Sequence, residues 1–338
     1  MNIFFNILLL PLFLIYQIIV IIRNYLYDTK IFKSTKLPCK IISVGNISIG
    51  GTGKTPIVIE IAKFLQQQNR TVAILSRGYG RKTTGTQLVT DGKSDPINWE
   101  SAGDEPAIIA ASLSDIPVVV SENRVRGGEY LVNNFAPEII ILDDGFQHRK
   151  LYRDIDIVLV NSNMSKFKNR IFSFNNFRES WKSLKRANLI FLTKSDFIAP
   201  SKNLQDKLNA IDLPVYRTQI IPSAYFLYHN NNKPDVKKFH GKTALLFSGI
   251  GDPISFAKTI HNLNIKILSS IKFKDHKIYS TSDIEMISNK YKNTGAEIII
   301  TTEKDFQKIG NTSLPIYALP IAMKIEDEGY AQLLKLLN

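Results

Sequence analysis

The stretch Gly45-Asn46-Ile47-Ser48-Ile49-Gly50-Gly51-Thr52-Gly53-Lys54-Thr55-Pro56 decides the fold of this chain. An apolar, strand-like run at residues 41–44 precedes it, and an apolar run at 57–65 that suits a helix follows it. Glycines between a strand and a helix let backbone N–H groups converge on phosphate oxygens, and the helix N-terminus adds its positive dipole end. The order of strand, glycine loop and helix therefore predicts a phosphate-binding P-loop.

The loop also contains the side chains that nucleotide chemistry needs. Lys54 is placed to reach terminal phosphates, and the hydroxyl of Thr55 suits Mg²⁺. Pro56 fits the first helical turn, where no N–H is missed. The strict P-loop pattern has glycine where Ser48 stands, so the match is incomplete at its first position. The predicted nucleotide contacts are Ser48, Ile49, Gly50, Gly51, Thr52, Gly53, Lys54 and Thr55.

A second apolar strand ends in acid, in the run Glu138-Ile139-Ile140-Ile141-Leu142-Asp143-Asp144. Ligands of open α/β sheets bind outside the carboxyl ends of the strands, so these two carboxylates are expected to face the phosphates. Asp143 or Asp144 would then hold Mg²⁺ directly or through water. The alternative is that the pair only caps a turn before Gly145.

The rest of the chain alternates between strand-like and helical runs. Further strands are predicted at residues 72–75, 116–120, 155–160 and 189–192, which favours an α/β fold with a mostly parallel sheet of the P-loop NTPase type. A smaller α/β lobe is predicted at 240–310. The extended segments 215–228 and 314–325 are expected to pair as a hinge. The predicted units are 1–36 (membrane-anchoring segment), 37–215 (nucleotide-binding domain), 216–239 (hinge), 240–310 (smaller lobe) and 311–338 (return strand and C-terminal helix).

Composition and net charge indicate which classes of binding partner to expect. The chain has 338 residues, a net charge of +13 and one cysteine, Cys39, so an internal disulfide is excluded and anionic partners are favoured. No zinc pattern, aromatic RNA-binding motif or basic recognition helix accompanies the charge, and nucleic acid is therefore not expected as a partner. Acidic lipid and phosphorylated ligands fit the charge better.

The N-terminal segment points to lipid. Residues 3–22 carry no charge, and a helix of that length would reach about 30 Å, the thickness of a hydrocarbon core. Cations follow the segment instead of preceding it, so a retained anchor is expected with the body on the cytoplasmic side. A buried helix hairpin bent at Pro11, or a helix lying in the membrane interface, are the alternatives.

Two more patches contain reactive side chains. Arg77, in Ser76-Arg77-Gly78-Tyr79-Gly80-Arg81, is suited to clamp phosphate. Asp104, in Gly103-Asp104-Glu105-Pro106, begins a predicted helix and is suited to accept a hydroxyl proton. Helix capping by Asp104 and a solvated arginine are the plain alternatives.

Together these motifs resemble the tetraacyldisaccharide 4'-kinases of lipid A biosynthesis. The resemblance rests on six runs in order, which are residues 44–56, Ser76-Arg77-Gly78-Tyr79-Gly80-Arg81, Gly103-Asp104-Glu105-Pro106, Asp143-Asp144-Gly145-Phe146-Gln147-His148, Phe273-Lys274-Asp275-His276 and Thr301-Thr302-Glu303-Lys304-Asp305. The uncharged N-terminal segment is similar to the membrane anchor of that family. A small hydroxyl residue at the position of Ser48 also agrees with the family.

The resemblance implies transfer of the ATP γ-phosphoryl group to the 4'-hydroxyl of a tetraacylated glucosamine disaccharide 1-phosphate at the inner membrane. It implies ATP and Mg²⁺ as ligands and Asp104 as the catalytic base, assisted by His276. Lys54, Thr55, Asp143 and Asp144 carry over as phosphate and metal groups, and Arg77 as a substrate contact. An ordinary surface histidine is the alternative for His276.

A different class of protein remains to be weighed, a membrane-associated nucleotide switch. The glycine loop resembles that of partitioning ATPases, but those proteins have lysine where this chain has Ile49. The run Thr193-Lys194-Ser195-Asp196 after a strand looks like a guanine-reading motif with one substitution, which keeps a GTP-binding switch as an alternative.

Overall fold

A computed structural model of the chain describes residues 3–48, 50–166, 177–228, 232–310 and 312–338, with side chains from residue 15 onward except at 165 and 166. The strands are β1 Lys40–Asn46, β2 Val72–Ser76, β3 Gln87–Thr90, β4 Val118–Val120, β5 Ile139–Asp143, β6 Ile155–Asn161, β7 Leu189–Thr193, β8 Val215–Pro222, β9 Thr243–Ser248, β10 Lys266–Lys272, β11 Ile298–Thr302, β12 Ile316–Leu319 and β13 Ile321–Ile325. The α-helices are α1 Ile3–Asp28, α2 Lys54–Gln67, α3 Trp99–Ala102, α4 Asp104–Ser112, α5 Arg124–Phe135, α6 Lys202–Asn209, α7 Pro253–Asn262, α8 Thr281–Thr294, α9 Glu303–Phe306 and α10 Asp327–Leu337.

The larger lobe is built on a nine-stranded sheet of order β13-β8-β7-β6-β1-β5-β2-β4-β3. β1 lies between β5 and β6 and is parallel to both, with Ile42 opposite Ile141 on one side and Ile155 on the other. These strands are buried on both faces, which is why their sequences are apolar runs and not alternating patterns. The predicted α/β fold with a mostly parallel sheet is therefore confirmed.

Two strands at the edge of this sheet lead to the second lobe and back. β8 adds to β7 in parallel, and β13 pairs with β8 in antiparallel register, with Met323 opposite Ile220. The smaller lobe lies between β8 and β13 in the chain. The two lobes are therefore joined by a pair of adjacent strands. The predicted domain boundaries and the hinge role of 216–239 stay predictions.

The smaller lobe has a four-stranded, wholly parallel sheet of order β10-β9-β11-β12. Phe247 of β9 and Ile299 of β11 are fully buried in one of its two cores, beneath Ile287 of α8. Since parallel strands point their carboxyl ends to one edge, the loops after β9, β10 and β11 meet there.

α1 extends along the larger lobe. Asn24 donates a 2.8 Å hydrogen bond to the fully buried carboxylate of Glu179, and Arg149 pairs with Asp28 at 2.8 Å. In the part of the chain that the structure describes, no helix has the length and apolar character needed to cross a membrane. The N-terminal membrane helix expected from the sequence is therefore unsupported.

Candidate active site

The glycine loop joins β1 to α2. Gly53 at φ +83° ends the loop, and α2 begins at Lys54, so the unpaired N–H groups of the first helical turn point back into the loop. The side-chain amide of Asn46 donates a buried 2.9 Å hydrogen bond to the hydroxyl of Thr52, and Gln147 donates one of 2.9 Å to the carbonyl of Asn46. These bonds join Asn46, at the end of β1, to Thr52 in the loop and to Gln147 after β5.

The remaining predicted loop residues occupy the same turn. Ser48 is buried, whereas Gly50 and Gly51 are exposed at the mouth of the loop. Thr55 is half-buried in the first turn of α2. Ile49 lies outside the described residues.

Asp143 is the last residue of β5 and is fully buried. Its Oδ2 accepts a 2.9 Å hydrogen bond from Ser76, whereas its Oδ1 has no hydrogen-bond partner among the described residues. Burial raises the pKa of Asp143 to about 7, and the nearby charges of Glu105 and Asp144 act in the same direction. A buried carboxylate with one unpaired oxygen is suited to receive a cation.

Asp144 follows in a left-handed conformation with φ +52°. Its carboxylate lies 3.6 Å from the ammonium of Lys54 and accepts two hydrogen bonds from Arg178, of 2.6 and 2.8 Å. Burial raises the pKa of Asp144, but the charges of Lys54 and Arg178 outweigh it and the pKa is lowered. Lys54, the predicted phosphate contact, and Asp144, a predicted metal ligand, are thus adjacent.

Asp104 and His276 meet across the two lobes. Asp104 begins α4 of the larger lobe, and His276 follows β10 of the smaller lobe in a left-handed conformation with φ +59°. Nδ1 of His276 lies 3.1 Å from Oδ2 of Asp104. Backbone strain of this kind persists where the surrounding structure holds it, often at functional sites. The structure therefore brings together two residues that are 172 positions apart in the chain.

Two lysines of the smaller lobe surround this pair. Lys308, whose side chain is 1% exposed, contacts the same oxygen of Asp104 at 2.5 Å. Lys304 lies 3.4 Å from Nε2 of His276 and 3.7 Å from Glu105. Burial raises the pKa of Asp104, but hydrogen bonds from His276 and Lys308 and the charges of both lysines lower it below its usual range. Asp104 is therefore an anion held by cations on two sides.

Arg77 lies apart from these contacts. It is exposed just after β2, and its charge lowers the pKa values of Arg124 and His148, both of which burial lowers first. The pKa of Arg124 falls to about 10 and that of His148 to about 4. The charge of Arg77 thus acts on Arg124 and His148 in the larger lobe.

Several site residues were not predicted from the sequence. Arg178, Lys308 and Glu105 were given no role, because their ion pairs with Asp144, Asp104 and Lys304 depend on long-range packing. Lys304 lies in the 301–305 motif, whose task the motif alone did not reveal. In the structure Asp305 accepts hydrogen bonds from Gly249 N and the hydroxyl of Tyr279, of 3.0 and 2.9 Å, and so fixes the loop beside His276.

Comparison with known proteins supplies the family. A family model described as tetraacyldisaccharide-1-P 4'-kinase (LpxK) matches residues 5–338. The tetraacyldisaccharide 4'-kinase of Chlorobaculum tepidum is 41% identical over 308 residues, covering 90% of this chain and 87% of the relative. That of Aquifex aeolicus is 36% identical over 320 residues, covering 95% of each.

A crystal structure of LpxK from Aquifex aeolicus in complex with ATP is similar throughout. It superposes with a TM-score of 0.78 at 34% identity, and the match covers 99% of this chain and 100% of that chain. The matched family model, the relatives and this structure agree over nearly the whole length. The chain belongs to the tetraacyldisaccharide-1-P 4'-kinase family.

Proposed function

We propose that this protein transfers the γ-phosphoryl group of ATP to the 4'-hydroxyl of a tetraacyldisaccharide 1-phosphate, a step of lipid A biosynthesis. The observation that carries the proposal is the contact of Asp104 with His276 beside a P-loop, in a chain of this family. ATP as the donor is supported by the complex described for the Aquifex aeolicus protein.

The glycine loop holds the phosphates. Backbone N–H groups of Ser48, Ile49, Gly50, Gly51, Thr52 and Gly53 and the first turn of α2 would bind phosphate oxygens, as such loops do. Lys54 would turn from Asp144, 3.6 Å away, to the terminal phosphates. Positioning and charge supply most of the catalysis of phosphoryl transfer, and both are properties of this loop.

The residues at the end of β5 fit Mg²⁺ bound together with nucleotide. Among the described residues, no group of three His, Cys, Asp or Glu side chains is arranged to hold a metal alone. Mg²⁺ does not require one, since it takes one or two carboxylates and completes its shell with water and phosphates. Thr55, Asp143 and Asp144 would hold it. Mg²⁺ bound there would neutralise negative charge on the phosphates of ATP.

The pair of Asp104 and His276 accepts the proton of the sugar hydroxyl. Since Asp104 is ionised and only accepts hydrogen bonds, Nδ1 of His276 donates to it, which leaves Nε2 as the ring nitrogen that could take up a proton. The 4'-oxygen bonds to the γ-phosphorus, the bond to the bridging oxygen breaks, and ADP leaves with the electron pair. The hydroxyl proton passes to Nε2, and Asp104 stabilises the imidazolium. The sequence suggests Asp104 as the base. Because the pKa of Asp104 is lowered, the structure favours Asp104 as the residue that orients His276 and stabilises its charge.

The lipid side of the reaction involves Arg77 and α1. Exposed Arg77 is a candidate contact for the acidic substrate. Exposed isoleucines of α1 recur at helical spacing, at Ile15, Ile18, Ile19 and Ile22, with Tyr25 one turn further. An apolar stripe of this kind marks a membrane or lipid contact. The cations that follow α1 suit acidic headgroups, so the catalytic body would lie on the cytoplasmic face of the inner membrane.

The test uses the purified full chain in detergent with γ-labelled ATP, Mg²⁺ and the acylated disaccharide 1-phosphate. Label is expected in the lipid, and ADP formation is expected to depend on the acceptor. Asp104→Asn keeps the shape of the side chain and is expected to lower turnover by about 10²–10⁴. A nucleotide switch, which the family does not favour, would instead hydrolyse ATP slowly with no acceptor dependence.

A further inference from the structure

The run Thr193-Lys194-Ser195-Asp196 has no part in the function described above. A guanine-reading loop needs its carboxylate free to bind the base. Here Oδ2 of Asp196 accepts a 3.0 Å hydrogen bond from the backbone N–H of Ile220 in β8. The motif is therefore occupied by contacts within the protein, and Lys194 is the residue whose contacts remain to be explained.

Lys194 connects the glycine loop to the smaller lobe. Its backbone is left-handed at φ +61°, and its side chain is only 7% exposed. Nζ donates a 2.8 Å hydrogen bond to the carbonyl of Gly51 and also pairs with the carboxylate of Asp252. Asp252 caps α7 of the smaller lobe by accepting from Ser255 N at 3.1 Å. One buried cation thus contacts the nucleotide loop and the opposite lobe.

The two lobes touch backbone to backbone at this point. A Cβ placed on Gly251 would lie 2.7 Å from the backbone nitrogen of Gly51, so no side chain fits there. The carbonyl of Gly249, in the same loop, accepts a 3.2 Å hydrogen bond from the backbone N–H of His276. The loop of residues 249–252, which Lys194 contacts through Asp252, is thus hydrogen-bonded directly to His276.

The charge and burial of Lys194 and Asp252 favour contact between the two lobes. Asp252 is the anion that the ammonium of Lys194 contacts, and it comes from the other lobe. If the lobes separated, a buried cation would lose its partner, which is costly in a region of low polarity. The ion pair therefore favours the arrangement in which the smaller lobe rests on the glycine loop.

We infer that Lys194 is a positioning residue that joins the glycine loop to Asp252 of the smaller lobe and thereby places His276 against Asp104. The inference rests on the proposed function in that the position of His276 serves phosphoryl transfer. Lys194 contacts the loop that would hold the nucleotide. Nucleotide binding and the contact between the lobes are therefore coupled through this side chain.

The kinetic test uses Lys194→Met, Asp252→Asn and the double variant of the full chain. Asparagine retains the helix cap for Ser255 while removing the charge. Each single variant is expected to lower kcat about tenfold or more, with less than a threefold change in KM for the lipid, and the double variant is expected to be no worse than either. Lys242→Met, which removes an ion pair with Glu297 inside the smaller lobe, is the matched control and should stay within twofold of wild type.

Two further measurements separate positioning from general damage and from failure of the proposed function. In a His276→Ala background, Lys194→Met should lower kcat less than twofold further. In a Cys39→Ser background, spin labels on Lys207→Cys and Lys290→Cys, exposed in different lobes, report the distance between lobes with a non-hydrolysable ATP analogue and Mg²⁺. Wild type should show one narrow distance and Lys194→Met a broader, longer one, whether or not lipid is phosphorylated.

The inference is overturned if the distance distributions of wild type and Lys194→Met coincide. Losses in kcat that multiply in the double variant would overturn it as well, because independent effects do not pass through a shared ion pair. Far-UV circular dichroism and the thermal midpoint confirm that each variant is folded. Absence of labelled lipid from wild type alone would count against the proposed function and leave the distance measurement decisive for Lys194.

Discussion

Lys308→Met removes a buried cation from Asp104 and changes the pH at which the enzyme works. Lys308 lies 2.5 Å from the Asp104 carboxylate, and the two side chains are 1% and 10% exposed. An opposite charge this close lowers a carboxyl pKa by about 1–3 units. Because Lys308 is one of the groups that lower the pKa of Asp104, we expect that pKa to rise in the variant, and His276 and Lys304, which remain beside Asp104, limit the rise.

The same contact contributes to folding. A carboxyl whose pKa is lowered in the folded state adds stability above its unfolded pKa, and loses that stability as the pH falls through the folded pKa. Removing one partner of a buried pair costs about 3–5 kcal/mol. The remaining partners of Asp104 compensate in part, so the free energy of unfolding at pH 7 should fall by about 3 kcal/mol in Lys308→Met.

The assay is the pH profile of kcat/KM for the lipid acceptor at saturating ATP. If Asp104 must be ionised to hold His276, activity of Lys308→Met on the acidic side should disappear at a higher pH than in wild type. Lys82→Met, which removes an exposed ion pair with Glu100, is the control and should leave the profile unchanged. An acidic limb in Lys308→Met that coincides with that of wild type, or lies below it, would refute the reasoning.

Three shorter predictions concern the metal carboxylate, the lobe contact and α1. Burial raises the pKa of Asp143 to about 7, so its contribution to stability is present at low pH and is lost as the pH rises towards 7. In urea unfolding without metal or nucleotide, Asp143→Asn should therefore gain about 2 kcal/mol relative to wild type between pH 5 and pH 7, and no gain would contradict the burial argument. Gly251→Ala forces the lobes apart and should lower kcat by about 10–100-fold, whereas Gly310→Ala, where a Cβ meets open space, should not. Ile18→Asp with Ile22→Asp should weaken sedimentation with acidic lipid vesicles about tenfold or more; unchanged binding would remove α1 from the membrane contact.

Local sequence was sufficient for much of the larger lobe. The strand before Gly45, the glycines and the apolar helix after Lys54 form one continuous segment, so their order alone predicts the P-loop. The β5 strand ending in Asp143 is equally local. Strand and helix periods depend on neighbouring residues, and apolar runs with helices between them allow few arrangements other than a parallel sheet.

Local sequence did not determine the environment of α1. An uncharged run has the length of a bilayer, but length does not tell whether a helix is immersed or fastened to the protein body. Asn24 and Asp28 of α1 follow the uncharged run, and their partners Glu179 and Arg149 are distant in the chain, so local sequence did not show these contacts.

By itself, the sequence predicted the main strands of the larger lobe, their order and the candidate phosphate-binding residues, because each of these predictions depends on a few consecutive side chains. Only the tertiary structure decided which charges meet. Lys308 reaches Asp104, Arg178 reaches Asp144 and Lys194 reaches Asp252 across long stretches of chain. The physical reason is that an ion pair depends on distance and burial, and both are set by how distant segments of the chain pack, between the lobes for Lys308 and Lys194 and within the larger lobe for Arg178.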